Sequence, residues 1–264
     1  MNILIYYFSG TGNSKRIADV AAEGFKQQGH SAQVKSIEDG QLDPQHLSAE
    51  IHGFVFPVYF WGIPRIMEKF MHTLPPASGK KSFLLLTAGN VYAKSLTLNQ
   101  ARKILEKKGY AMLGGDTIAM PDSFIVVYDP PPVDKATFKV KAAEGAAAAF
   151  AKKILSGEPK IQKSSFSEII MRFMYVFYRT VIKFHIFWPG FRVDNKCNSC
   201  EICAKICPVK NIQMVGGKPT WGKHCEACMR CIQLCPQKAI QTYFGSEKKN
   251  RYKEPHLEIK DLIN

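Results

Sequence analysis

The chain has 264 residues, 46% hydrophobic and 22% charged, which suits a packed core and excludes a low-complexity disordered chain. Lysine plus arginine number 36 against 22 aspartate plus glutamate, a formal charge of +14. No stretch free of charged residues exceeds 14 residues, and one of that length, Ile51–Pro64, holds two prolines and two glycines, so no membrane span of about 20 apolar residues is expected.

The opening MNILIYYFSG has no basic segment before its apolar run and reads as a first β-strand, not a signal peptide, which makes the cytoplasm the expected compartment. Asn2 to Phe8 is nearly all apolar, as a strand buried on both faces should be. After SGTGNS comes a helical pattern with Ile17, Val20, Ala21 and Phe25 on one face and Gly29 as its C-cap. Short strands are expected at Ala32–Ser36, Phe54–Pro57 and Ser82–Thr87, then a helix from Ala93 to Lys108 that stops at Gly109. Met112 and Ile118–Met120 mark a fifth strand region, and the Ala- and Lys-rich stretch Lys135–Leu155 a last helix. Strands alternating with helices predict a doubly wound α/β sheet, with ligands at the carboxyl ends of its strands.

Three loops fall at those ends. Ser9-Gly10-Thr11-Gly12-Asn13-Ser14 joins the first strand to the first helix. Glycines allow close backbone approach, a helix N-terminus offers free N–H groups, and three hydroxyls add donors, which together make a phosphate cradle without a cation. Neither GxxxxGK[ST] nor GxGxxG is present. The second loop, Pro57-Val58-Tyr59-Phe60-Trp61-Gly62-Ile63-Pro64, sets three aromatics between two prolines; they cannot all face a core, so at least one should offer its face to something planar. The third is Thr87-Ala88-Gly89-Asn90, with Tyr92 close behind.

ILIYYFSGTGNS, PVYFWGIP and TAGN together resemble the flavodoxin family over residues 1–155. The resemblance implies a flavodoxin-like, doubly wound, parallel five-stranded sheet of order 2-1-3-4-5 and FMN at the three loops. By position, Ser9, Gly10, Thr11, Gly12, Asn13 and Ser14 would hold the 5′-phosphate. Pro57, Val58, Tyr59, Phe60 and Trp61 would line the flavin ring, and Thr87, Ala88, Gly89 and Asn90, with Tyr92 as a weaker candidate, would close its other side.

All eight cysteines lie in the last third of the chain. Cys197-x2-Cys200-x2-Cys203-x3-Cys207-Pro208 is followed by Cys225-x2-Cys228-x2-Cys231-x3-Cys235-Pro236. A cubane cluster needs four converging thiolates, and this spacing, met twice, points to [4Fe-4S] clusters. Zinc, which uses paired CxxC units, is the alternative metal. The two motifs resemble those of bacterial two-cluster ferredoxins, a small α+β domain, over about residues 191–245. That resemblance implies two crossed ligand sets, Cys197, Cys200, Cys203 and Cys235 for one cluster and Cys225, Cys228, Cys231 and Cys207 for the other.

Between the halves, residues 156–190 form a linker in which 164–191 reads as an amphipathic helix, with Glu168, Arg172, Arg179 and Lys183 on a narrow polar stripe. It is expected to pack between a domain of residues 1–155 and one of residues 191–264; peripheral membrane contact or a homodimer face is the alternative. The basic run SEKKNRYKEP reads as a solvated face, His224 as a solvent residue, and Asp122 as loop filler or a proton donor near the flavin. The positive charge is spread along the chain, which favours a redox partner protein with an acidic docking face, or anionic lipid, over nucleic acid.

The whole resembles the ferrodoxin family of anaerobes, flavodoxin–ferredoxin fusions. The implied function is electron transfer between two [4Fe-4S] clusters and FMN and on to a partner, with no catalytic side chain. The alternative is an FMN-dependent reductase of a small substrate fed by its own ferredoxin domain.

Overall fold

The apolar run NILIYY alternates its side chains between two faces and finds a core on each. The computed structural model describes residues 1–90, 94–164, 170, 171, 173–177 and 190–262. Strands β1 (Asn2–Tyr7), β2 (Ser31–Ser36), β3 (Ile51–Pro57), β4 (Lys81–Ala88) and β5 (Ala111–Ala119) make one sheet of order β2-β1-β3-β4-β5, parallel throughout. This is the flavodoxin-like α/β order that the resemblance implies.

On one face, Ile3, Ile5 and Tyr7 pack with Val55, Phe83 and Leu85 against helices α1 (Asn13–Gln27) and α4 (Val133–Lys153). On the other, Leu4, Tyr6 and Phe8 pack with Phe54, Phe56, Leu84 and Leu86 against α2 (Arg65–Thr73) and α3 (Lys94–Lys107). Helix α2 goes beyond the predicted elements; its nine residues span only about two and a half turns, and Met67, Phe70 and Met71 supply its buried face. Tyr92 lies outside the described residues.

The cysteine-rich part is small, with two antiparallel pairs, β6 (Phe191–Val193) with β9 (Ile240–Thr242) and β7 (Ile212–Val215) with β8 (Lys218–Trp221). Its core is shared with the larger sheet's loops. Ile125, with Phe124 and Val126 beside it, packs among Phe191, Ile212, Met229, Ile232 and Ile240.

The run Ser246–Pro255 is not the solvated face expected of it. Lys249 Nζ donates to the Ile125 carbonyl (2.8 Å), and Arg251 reaches the Ser246 and Ile240 carbonyls. Tyr252 and Glu254 are buried, and Leu257 joins Ile206, Leu234 and Leu262 in a further apolar cluster. The cations stay near the surface because their long stems span to backbone acceptors, while alternate residues turn inward.

Of the linker, residues 158–164 lie beside the sheet: the Pro159 carbonyl accepts from Gly115 N–H, and Asn99 Nδ2 donates to the Gln162 carbonyl. Residues 170, 171 and 173–177 are helical. Tyr175 is buried against Gly62, where any Cβ would stand 1.9 Å from its ring, whereas Ile170, Phe173, Met174, Val176 and Phe177 are exposed. The polar stripe at Glu168, Arg172, Arg179 and Lys183 lies outside the described residues. No helix among the described residues is long and apolar enough to cross a membrane.

Candidate functional site

A cavity of about 240 Å³ opens at the carboxyl ends of β1, β3 and β4. The three loops singled out in the sequence meet there: Ser9, Gly10, Thr11, Asn13 and Ser14 from the first, Pro57, Val58, Tyr59, Phe60 and Trp61 from the second, and Thr87, Ala88, Gly89 and Asn90 from the third. Gly12 alone of that set does not line it. Its φ of +102° is open to glycine, and a Cβ there would meet Glu254 Cβ at 2.6 Å. Its small size serves the C-terminal segment, which crosses behind the loop and donates Glu254 N–H to the Thr11 carbonyl (2.9 Å).

Within the first loop, Ser9 Oγ accepts from the N–H groups of Gly12 (3.1 Å) and Ser14 (3.2 Å), and Ser14 Oγ pairs with Thr87 Oγ1 (2.8 Å). Asn13 is structural at its side chain, giving Nδ2 to the Pro121 carbonyl and taking the Tyr252 hydroxyl at Oδ1 (2.6 Å). The amides of Gly10 and Thr11 have no acceptor among the described residues, although both residues are buried. Buried N–H groups without partners are rare, and two at the head of a helix fit an anionic ligand.

The second loop is a tight turn in which Tyr59 and Gly62 exchange both backbone hydrogen bonds at 3.0 Å. Its two central residues, Phe60 and Trp61, sit at φ +47° and +59°. Bulky residues in this left-handed region cost on the order of 1 kcal/mol or more each, and such strain gathers at ligand-holding sites. The turn raises both rings to the cavity wall, where Phe60 meets Phe124 edge-on with centroids 5.0 Å apart.

The third loop closes on Asp122. A Cβ on Gly89 would lie 2.3 Å from Asp122 Oδ2, and Lys139 Nζ donates to the Gly89 carbonyl (2.9 Å). Burial lowers the Lys139 pKa from its ordinary value, and Asp122 works against that. Asp122 is the single charged residue lining the cavity among the described residues. Thr117 on β5 and, after the strand, Pro121–Phe124, Val127 and Tyr128 supply a further wall, of which only Asp122 stands out in the sequence.

A last wall comes from the second cysteine motif. Ala227, Cys228 and Met229 line the cavity directly, and the Cys228 carbonyl approaches Gly10 so closely that a Cβ there would be 2.6 Å away.

The cysteines form two groups. Cys197, Cys200, Cys203 and Cys235 line one small cavity. Burial pushes the Cys203 thiol up to about 11, with Cys235, Cys200 and Cys197 acting in the same direction. Burial likewise raises Cys225, reinforced by Cys228, Cys231 and Cys207. Cys235 thus falls near the Cys197–Cys203 loop, and Cys207 near the Cys225–Cys231 loop. Backbone N–H groups point at three of the sulfurs, Asn211 at Cys207 (3.3 Å), Ala227 at Cys225 (3.2 Å) and Ala239 at Cys235 (3.4 Å).

The backbone repeats as well. Ser199, Glu201 and Lys210 have positive φ in the first motif; Ala227, Met229 and Lys238, each 28 residues later, have it in the second. Six non-glycine residues held this way, at matching positions, fit two loops wrapped around similar groups. Among the described residues no His, Cys, Asp or Glu group is gathered tightly enough for one metal ion. A cubane is larger than an ion, and its thiolates stand further apart.

The second cysteine loop, Cys225–Cys231, is anchored by charge. Glu226 Oε2 accepts from Ile66 N–H at the head of α2 (3.2 Å) and faces Arg65 Nε at 3.4 Å, while Arg65 Nη2 donates to the Cys225 carbonyl (2.7 Å). Burial raises the Glu226 pKa, and Arg65 opposes it. Arg230 is 1% exposed and makes a two-pronged ion pair with Glu38, 3% exposed, at 2.8 and 2.5 Å. Burial disfavours its charge, yet the bonds to Glu38 hold its pKa above the ordinary value. In the first motif Glu201 pairs with Lys205 on the surface, and Cys200 is exposed.

No family model matches the chain, nor does any curated protein. Solved structures similar to it include a flavodoxin from the domain Archaea (18% identity, 59% of this chain and 99% of that one, TM-score 0.41). Others are the two-electron reduced Megasphaera elsdenii flavodoxin (22%, 56% and 98%, 0.40) and an azoreductase from Bacillus anthracis (14%, 58% and 99%, 0.42). Likeness at this level adds nothing to what the strand order already establishes.

Proposed function

We propose that the protein is an electron carrier that passes electrons between two [4Fe-4S] clusters and FMN and on to a redox partner protein. The observation that carries this reading is the shared wall: Ala227–Met229 of the second cysteine motif complete the cavity built by the three sheet loops. FMN supplies a centre that takes up one or two electrons, and the clusters supply one-electron centres.

The chain's own groups have distinct tasks in this reading. Gly10 and Thr11 N–H groups, with the Thr11 hydroxyl, receive the phosphate. Phe60 and Trp61 flank the ring, and Ala88 and Gly89 close its far side. Cys225, Cys228, Cys231 and Cys207 hold the cluster next to the flavin, and Cys197, Cys200, Cys203 and Cys235 hold the outer one. The exposed Cys200 marks the face for a partner, which the chain's charge of +14 expects to be acidic. No side chain has to exchange a proton for this work.

The test is an anaerobic reductive titration of the reconstituted full chain, with iron, sulfide and flavin assayed on one sample. About eight iron, eight sulfide and one FMN per chain, with electrons equilibrating between centres, is the expected result. Iron and sulfide without flavin uptake would overturn the flavin site. Reoxidation that requires a small substrate would point instead to the FMN-dependent reductase.

A further inference from the structure

We infer that Arg230 is a positioning residue for the phosphate site: from inside the second cysteine loop it sets the direction of the peptide groups that bind the FMN phosphate. The inference rests on the flavin reading above.

Arg230 Nε donates to the Gly10 carbonyl (3.1 Å), and Nη2 donates to the Ser9 carbonyl (2.5 Å). A trans peptide unit is planar, and its N–H points opposite to its C=O. Holding the Ser9 oxygen therefore turns the Gly10 N–H away from the guanidinium, and holding the Gly10 oxygen does the same for the Thr11 N–H. Those are the two buried amides without an acceptor among the described residues. Without Arg230, either peptide is free to flip and present an oxygen to an incoming phosphate.

The guanidinium is itself immobile. Nη1 donates to Glu38 Oε2 and to the Ile206 carbonyl, both at 2.8 Å, and Nη2 also donates to Glu38 Oε1. All five of its N–H groups are thereby engaged, in a planar fork that a lysine ammonium cannot reproduce. Its attachments span the sites. Arg230 lies between Cys228 and Cys231, Ile206 precedes Cys207, and Ser9 and Gly10 belong to the cradle. Three of the four thiols assigned to the inner set thus share one anchor with the phosphate loop.

The experiment uses the full chain with its clusters reconstituted and its flavin removed, titrated with FMN and with riboflavin, which lacks the phosphate. Arg230→Lys and Arg230→Met are each expected to raise the FMN dissociation constant about tenfold or more while moving that of riboflavin less than about threefold. Circular dichroism and iron content report whether each variant folds and loads. If Arg230→Met does not fold, Arg230→Lys, which keeps the charge, decides. Folded variants that bind FMN as the parent does, or that lose FMN and riboflavin equally, overturn the inference. A parent chain that binds neither flavin overturns the flavin reading itself.

Discussion

Two loops of identical cysteine spacing have opposite surroundings. The Cys225–Cys231 loop is buried against the sheet domain: Cys231 is buried, and both of its charged spacer residues find opposite charges there, Glu226 with Arg65 and Arg230 with Glu38. The Cys197–Cys203 loop faces outward, and its one charged spacer residue, Glu201, turns back on Lys205 four residues along the same chain. The cysteines fix what a loop can hold; the residues between them fix where it docks. The spacing is shared, and the spacer charges set the two loops apart, one docked on the sheet and one facing outward.

The largest expected effect comes from breaking the inner anchor. Glu38→Ala leaves Arg230 charged in a site 1% exposed, with three carbonyl acceptors and no counter-charge. Removing one partner of a buried ion pair costs about 3–5 kcal/mol, and urea unfolding of the loaded full chain should show that loss. A loss under about 1 kcal/mol would mean that the guanidinium is not desolvated between its cysteine loop and the sheet, and the contrast between the loops would fail.

Much of this was legible in the sequence. The apolar runs Asn2–Tyr7 and Lys81–Ala88 and the cysteine spacing are local patterns, and local patterns survive folding. The contacts between the halves were not legible. Arg230 reads as any cation in a basic chain, and its acceptors Ser9, Gly10 and Glu38 stand about two hundred residues away. In sequence Gly12 belongs to the glycine-rich loop alone, whereas in the structure the space beside it is taken by Glu254 and Leu257, two residues of a segment whose lysines disguise its inward-facing positions. One signal was available. Opposite charges between closely spaced cysteines, at Glu226 and Arg230, need partners once that loop is buried.

A middle effect is expected at the second anchor. Glu226 is 7% exposed at its side chain but Arg65 is 33% exposed, so water covers part of that pair. Glu226→Gln keeps an oxygen for Ile66 N–H and removes only the charge, for an expected loss of about 1 kcal/mol. The same exchange in the outer loop, Glu201→Gln, breaks a 3.5 Å pair in which both side chains are more than half exposed. It should cost less than about 0.5 kcal/mol in the same unfolding assay, because such pairs gain little over water. Equal losses at Glu226 and Glu201 would mean that the outer loop is as firmly docked as the inner one. It would then be closed to a partner, and the assignment of Cys200 as the exit face would fall with it.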